Sequence, residues 1–132
     1  MTGFQTTGCH ATGHITDTGQ YRVPAVSLDG LIAENVLPVP DLIKMDVEGA
    51  ESLVLDGAGT LLGGNKTILF IALHGENQKQ RCLDLLLSLA YRIFLLDGTE
   101  LRDAALPFDE IYALPPDLHC RPIPDVWPSQ DK

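Results

Sequence analysis

The stretch Asp41 to Glu51, DLIKMDVEGAE, sets charged groups inside and directly after what reads as a buried strand. In an extended chain alternate residues share a face, so Leu42, Lys44 and Asp46 point one way and Ile43, Met45 and Val47 the other. Glu48 continues the charged face while the extended geometry persists. These charges fall at the strand's carboxyl end, just before a helix, and ligands in open α/β sheets bind outside that end. A second apolar run, Ile68 to Leu73, ends at His74. With the two runs as neighbouring strands, Lys44, Asp46, Glu48 and His74 rim one crevice. Such a cluster of polar groups at a crevice is a candidate functional site. The same residues have a plainer reading. Lys44 and Asp46 can pair, as buried charges usually do. Glu48 and Glu51 are favoured near a helix start by its dipole, and His74 can be satisfied by backbone. Spacing alone leaves both readings open.

The elements that must position these groups follow from periodicity. Residues 1–22 are rich in Gly and Thr, show no hydrophobic period and read as a flexible arm. Val23 to Ser27 is a short extended piece with Pro24 permitted at its edge. Leu28, Leu31, Ile32 and Val36 suggest a short helix that ends at LPVP. After DLIKMDV, the residues Ala50, Leu53, Val54, Gly57, Ala58, Leu61 and Leu62 form the apolar stripe of a helix. Gly57 is a candidate break in it, and Gly63-Gly64-Asn65 a stop. KTILFIALHG is nearly continuous in apolar residues, as in a parallel strand covered on both faces. A second helix over NQKQRCLDLLLSLA puts Cys82, Leu83, Leu86, Leu87 and Ala90 on its apolar side. Asp97-Gly98 lies between extended runs, a hairpin signal, and FDEIYALP is a last strand. Residues 115–132 hold five of the nine prolines and read as an extended tail with Trp127 as its anchor. Strands separated by helices imply an α/β fold with right-handed crossovers, a mostly parallel sheet with helices on both faces, and an antiparallel hairpin at its far edge.

The chain of 132 residues suits one domain, with 45% hydrophobic residues to build a core. Its net charge of −9, from 18 acidic and 9 basic residues, argues against binding nucleic acid or anionic membrane surfaces. No apolar run is long enough for a membrane span, and the first residues lack a secretory pattern. Three cysteines, Cys9, Cys82 and Cys120, make no disulfide framework and point to a reducing, cytoplasmic setting.

LIKMDVEGAESLVLDGA closely resembles the most characteristic stretch of the FkbM-type methyltransferases. Lys44, Asp46, Val47, Glu48, Gly49, Ala50, Glu51, Val54, Leu55, Gly57 and Ala58 all match that pattern, with Met45 in place of the usual Ile. VSLDGLI, LFIALHGEN and SLAYRIFLLDG resemble further family elements, so the resemblance spans residues 23–114. It implies a Rossmann-like methyltransferase fold and S-adenosylmethionine as cofactor. It also implies methyl transfer to a small-molecule acceptor, such as a hydroxyl of a sugar or secondary metabolite. By the resemblance Asp46 faces the reaction crevice and the cofactor, and Asp46, Glu48 or His74 is the base. Lys44 would orient a carboxylate. Ala72 stands where the family usually carries Glu. The resemblance covers the second half of the family's domain, without the N-terminal strands and their Gly-rich cofactor loop. LDGAGTLLGG fails GxGxxG at its third glycine and follows a helical stripe instead of a strand.

Such a half-domain leaves the strand at 42–47 with an open edge, which implies a dimer or a complementing chain pairing there. A non-enzymatic remnant that acts only by interaction is the alternative function. A third reading is a metal site, since Asp46, Glu48 and His74 offer oxygen and nitrogen ligands. Cys9, His10 and His14, with His119 and Cys120, offer softer ligands but lack a zinc spacing, and no metal is assigned from the sequence. Cys82 reads as helix packing.

Overall fold

Short runs rich in apolar residues make strands of two segments that also bracket the charged motif: β4 (Leu42–Met45) and β5 (Ile68–Ala72). They pair in parallel, with Leu42 opposite Ile68 and Met45 opposite Ile71. The computed structural model describes residues 2–6, 13–16, 18–19, 21–102 and 108–118. Ahead of β4 stand β1 (Thr2–Thr6), β2 (Gly13–Thr16), β3 (Tyr21–Val23) and helix α1 (Leu28–Ala33). The first three form an antiparallel sheet in the order β2-β1-β3. This corrects the flexible arm expected for residues 1–22. Thr, Phe, Ile, Tyr and Val favour extended backbone, and no run there is long enough to show a period.

The main sheet has the order β4-β5-β8-β6-β7, with β6 (Arg92–Leu95), β7 (Glu100–Leu101) and β8 (Glu110–Leu114). The hairpin at Asp97-Gly98 forms as expected and places β7 at the far edge; Gly98 takes φ +87 in its turn. The sheet is mixed, however. β8 inserts between β5 and β6 and runs antiparallel to both, so β4–β5 is the one parallel pair among the described residues.

The helical stripe after β4 divides into α2 (Glu51–Asp56) and α3 (Gly59–Gly63), breaking at Gly57 and Ala58. Ala50, Ala58, Leu61 and Leu62 are buried as the stripe expects, but the buried side of α2 is rotated: Leu53 is 55% exposed and Leu55 enters the core in its place. α4 (Glu76–Ser88) buries Cys82, Leu83 and Leu86, while Leu87 lies 40% exposed. These residues form one core with Leu69, Ile71, Ile93, Ile111 and Ala113 from the sheet.

All of this packs on one face. The opposite face carries Lys44, Phe70, Tyr112 and Phe94, and among the described residues it has no helix over it, unlike the two-sided covering expected. Tyr112 stacks between Phe70 and Phe94, with ring centroids at 5.7 and 5.1 Å. No helix among the described residues is long and apolar enough to cross a membrane. Trp127, Cys9, His10, His119 and Cys120 lie outside the described residues, as does most of the Pro-rich 115–132 segment.

Candidate functional site

Each of the two parallel strands runs into a helix, and the turns between them build the site. The β4–β5 register, continued past the last pair, brings Asp46 level with Ala72 and Glu48 level with His74. After Val47 the chain reverses through Glu48 at φ +51 and Gly49 at φ +96 before entering α2. Left-handed backbone is costly for a residue with a side chain. Here it aims Glu48 at His74, whose Nε2 lies 3.7 Å from Glu48 Oε2. Asp46 Oδ1 approaches the same nitrogen, also at 3.7 Å.

The other ring nitrogen is held from inside. His74 Nδ1–H donates to Glu51 Oε1 at 2.8 Å, and the Gly49 backbone N–H donates to the same oxygen at 3.0 Å. The Glu51 side chain has no exposed surface, while His74 is 38% exposed. Among the described residues Glu51 Oε2 and the neighbouring Ser52 Oγ have no hydrogen-bond partner. The hydrogen bond to Glu51 raises the His74 pKa above its ordinary value, against partial desolvation and with help from the charges of Glu48, Glu51 and Asp46. The Ser52 backbone N–H donates to Gln78 Oε1 at 3.2 Å, which ties α2 to α4 beside the pair.

These groups open into a cleft of about 860 Å³ whose walls include Asp46, Glu48, His74, Asp97, Asp109 and Glu110. Its chemistry is acidic. Asp109 is already matched by Lys79 Nζ at 3.0 Å, which also meets Glu76 and lies 5.5 Å from the centre of the Phe108 ring. The cleft can take a polar guest that donates hydrogen bonds, and its carboxylates repel an anionic one.

Of the residues expected from the sequence, Asp46, Glu48 and His74 do come together. Lys44 does not join them. It points to the open sheet face opposite Phe70, makes no ion pair among the described residues and lines a separate hollow of about 230 Å³ that it shares with Asp46. The expected Lys44–Asp46 pairing is therefore not what tolerates these charges. Glu51, which the sequence places as a helix-start charge, is the most buried member of the site. A signal was present: Glu51, Leu55, Ala58 and Leu62 recur at helical spacing and share the buried side. Cys82 is plain packing, its thiol pushed up to about 12 by burial and then by the Glu51 charge.

No curated protein and no solved structure matches the chain. The family model of the methyltransferase FkbM domain matches residues 2–94. That span takes in the small antiparallel sheet, which the resemblance over 23–114 left out, and it ends in β6. With more than half of its length matched, and with Asp46, Glu48 and Glu51 of the DVEGAE motif gathered around His74, the chain belongs to the FkbM methyltransferase domain family.

Proposed function

We propose that the chain carries the acceptor side of an S-adenosylmethionine-dependent methyl transfer to a hydroxyl, of a sugar or a similar polyol. The observation that carries this reading is the Glu51–His74 pair, which holds Nε2 toward Asp46 and Glu48 at the mouth of the cleft in a chain of this family. Transfer to an alcohol needs the hydroxyl aligned and its proton removed as the new bond forms. Asp46 and Glu48 would accept hydrogen bonds from the acceptor, and His74, locked by Glu51, presents one nitrogen to it. Without a bound ion, the proton goes to one of these three groups. The exposed position of the triad fits a bulky acceptor that leaves most of itself outside.

The described residues do not by themselves fit the whole cofactor. The acidic lining suits the positive sulfonium, which brings the methyl group in the family's chemistry. The methionine carboxylate would meet like charges there, and no Gly-rich turn from a strand into a helix faces the cleft to hold it. A second reading has its own support. β4 is an edge strand and one face of the sheet is bare, as suits a half-domain that acts through a partner. A reducing, cytoplasmic setting agrees with the free thiol of Cys82.

The two readings separate in one assay. The purified chain is titrated with S-adenosylmethionine by calorimetry, and methyl transfer to a panel of sugar hydroxyls is followed by mass spectrometry. Transfer that falls by about 100-fold or more in His74→Asn, a loss on the scale of acid–base catalysis, supports the transferase reading. No heat at millimolar cofactor together with no transfer sinks it for this chain and favours the interaction module.

A further inference from the structure

Asp46, Glu48 and His74 each offer one ligand atom, and these three atoms lie within 4.8 Å of one another. His74 Nε2 stands 3.7 Å from Asp46 Oδ1 and 3.7 Å from Glu48 Oε2, too far for a direct hydrogen bond. With metal–ligand bonds of about 2.1 Å, ligand atoms at right angles stand about 3 Å apart and opposite ones about 4.2 Å. The three atoms therefore already have nearly the spacing of ligands around one ion. The bond to Glu51 occupies Nδ1, which leaves Nε2 as the ring nitrogen that faces the two carboxylates.

A second observation comes from outside the three. Glu51 is wholly buried and directed at the ring, and its Oε2 has no donor among the described residues. A carboxylate on the far nitrogen is the partner that metal-ligating histidines characteristically have, because it fixes the tautomer and makes the ligand more basic. The unmet charge on Glu51 adds to the attraction for a cation.

We propose that Asp46, Glu48 and His74 bind a divalent transition cation of the manganese type, with Glu51 as its supporting carboxylate and a coordination position open toward the cleft. Two carboxylates and one imidazole, without a thiolate, suit such an ion better than a structural zinc. The ion itself stands on the geometry alone. The identity of its further ligand, an acceptor hydroxyl, rests on the transferase reading. A hydroxyl bound there becomes more acidic and releases its proton to solvent, leaving the oxygen on the ion.

The test uses the full chain after chelator treatment, titrated with manganese(II) chloride and followed by electron paramagnetic resonance. We expect one ion per chain and, in pulsed spectra, coupling to a directly bound imidazole nitrogen. Affinity should weaken by about tenfold or more in Asp46→Asn and His74→Asn, and hold in Asp97→Asn, which removes a cleft carboxylate outside the three. The nitrogen coupling is read in the unaltered chain, so the outcome does not hang on a variant that fails to fold. No binding at millimolar manganese, no nitrogen coupling, or an equal loss in Asp97→Asn would overturn the site, the last by showing diffuse attraction to an acidic cleft. Methyl transfer that persists under excess chelator overturns the acceptor hydroxyl as the ion's further ligand and leaves the transferase reading intact. One bound ion in a chain without transfer leaves the site intact and overturns the transferase reading.

Discussion

A carboxylate without solvent must find its donors inside the protein, and Glu51 spends one oxygen on two of them, His74 Nδ1–H and the Gly49 N–H. The other oxygen has none among the described residues. Burying such a group is costly unless charge answers charge, so Glu51 and a protonated His74 stabilise one another. The sign follows from the raised imidazole pKa. The pair contributes fully below the ordinary value of 6.5, and its contribution fades as pH rises through the folded value. In Glu51→Gln, in chelator-treated protein, the amide oxygen can still accept the Nδ1 proton but carries no charge. The His74 titration midpoint, read by NMR, should move down relative to the parent, and the loss of stability with rising pH across that range should flatten. A midpoint that does not move would mean that Asp46 and Glu48, not Glu51, set the charge of the ring.

Short helices hold their places through caps, and here one residue caps across elements. Asp29, in α1, accepts from the backbone N–H groups of Thr60 at 2.7 Å and Leu61 at 2.9 Å, the opening turn of α3. Burial pushes its carboxyl pKa up, but the two amide donors outweigh that and hold it below its ordinary value. Asp29→Ala should cost about 1 kcal/mol, as loss of a helix cap does, measured as a lower urea midpoint at pH 7. This contribution is present above the unfolded pKa and is lost as pH falls through the depressed folded one, so the variant and parent should converge in acid. Gly49 makes a separate case in the β4–α2 turn. At φ +96 with no atom near an added Cβ, Gly49→Ala is opposed by backbone conformation and not by crowding. A loss of about 1 kcal/mol is expected, and the turn that aims Glu48 should loosen with it. The DVEGAE motif was legible because charge at a strand end is rare and its period is plain. The rotation of α2 was not, since Leu53 and Leu55 are equally apolar and only packing decides which is buried. The placement of β8 between β5 and β6 was hidden too, because periodicity gives strands without their neighbours.

At the scale of the whole molecule, the site and the open surface have one cause. β4 is the strand that delivers Asp46, and it is also the edge of the main sheet. Unpaired backbone groups along an edge, beside exposed apolar side chains, invite another strand. Leu42 is 50% exposed on β4 and Phe70 39% exposed on β5, both on the face that bears the Phe70–Tyr112–Phe94 stack. The local countermeasures are few: Lys44 on β4, and Arg92 placed 4.9 Å over Phe94 at the other side of the stack. We therefore expect the chain to self-associate through this edge and face in sedimentation velocity, with the associated fraction rising with concentration. Leu42→Lys places a second charge on the edge strand without touching the buried core, so it should shift the population toward monomer while leaving thermal stability nearly unchanged. Because Asp46 and Glu48 follow directly on β4, a partner strand there would also lie close to the cleft, and association should protect β4 amides from hydrogen exchange. A monomer at all concentrations, with β4 amides exchanging freely, would mean that the two lysine-bearing and arginine-bearing positions already suffice to keep the edge apart.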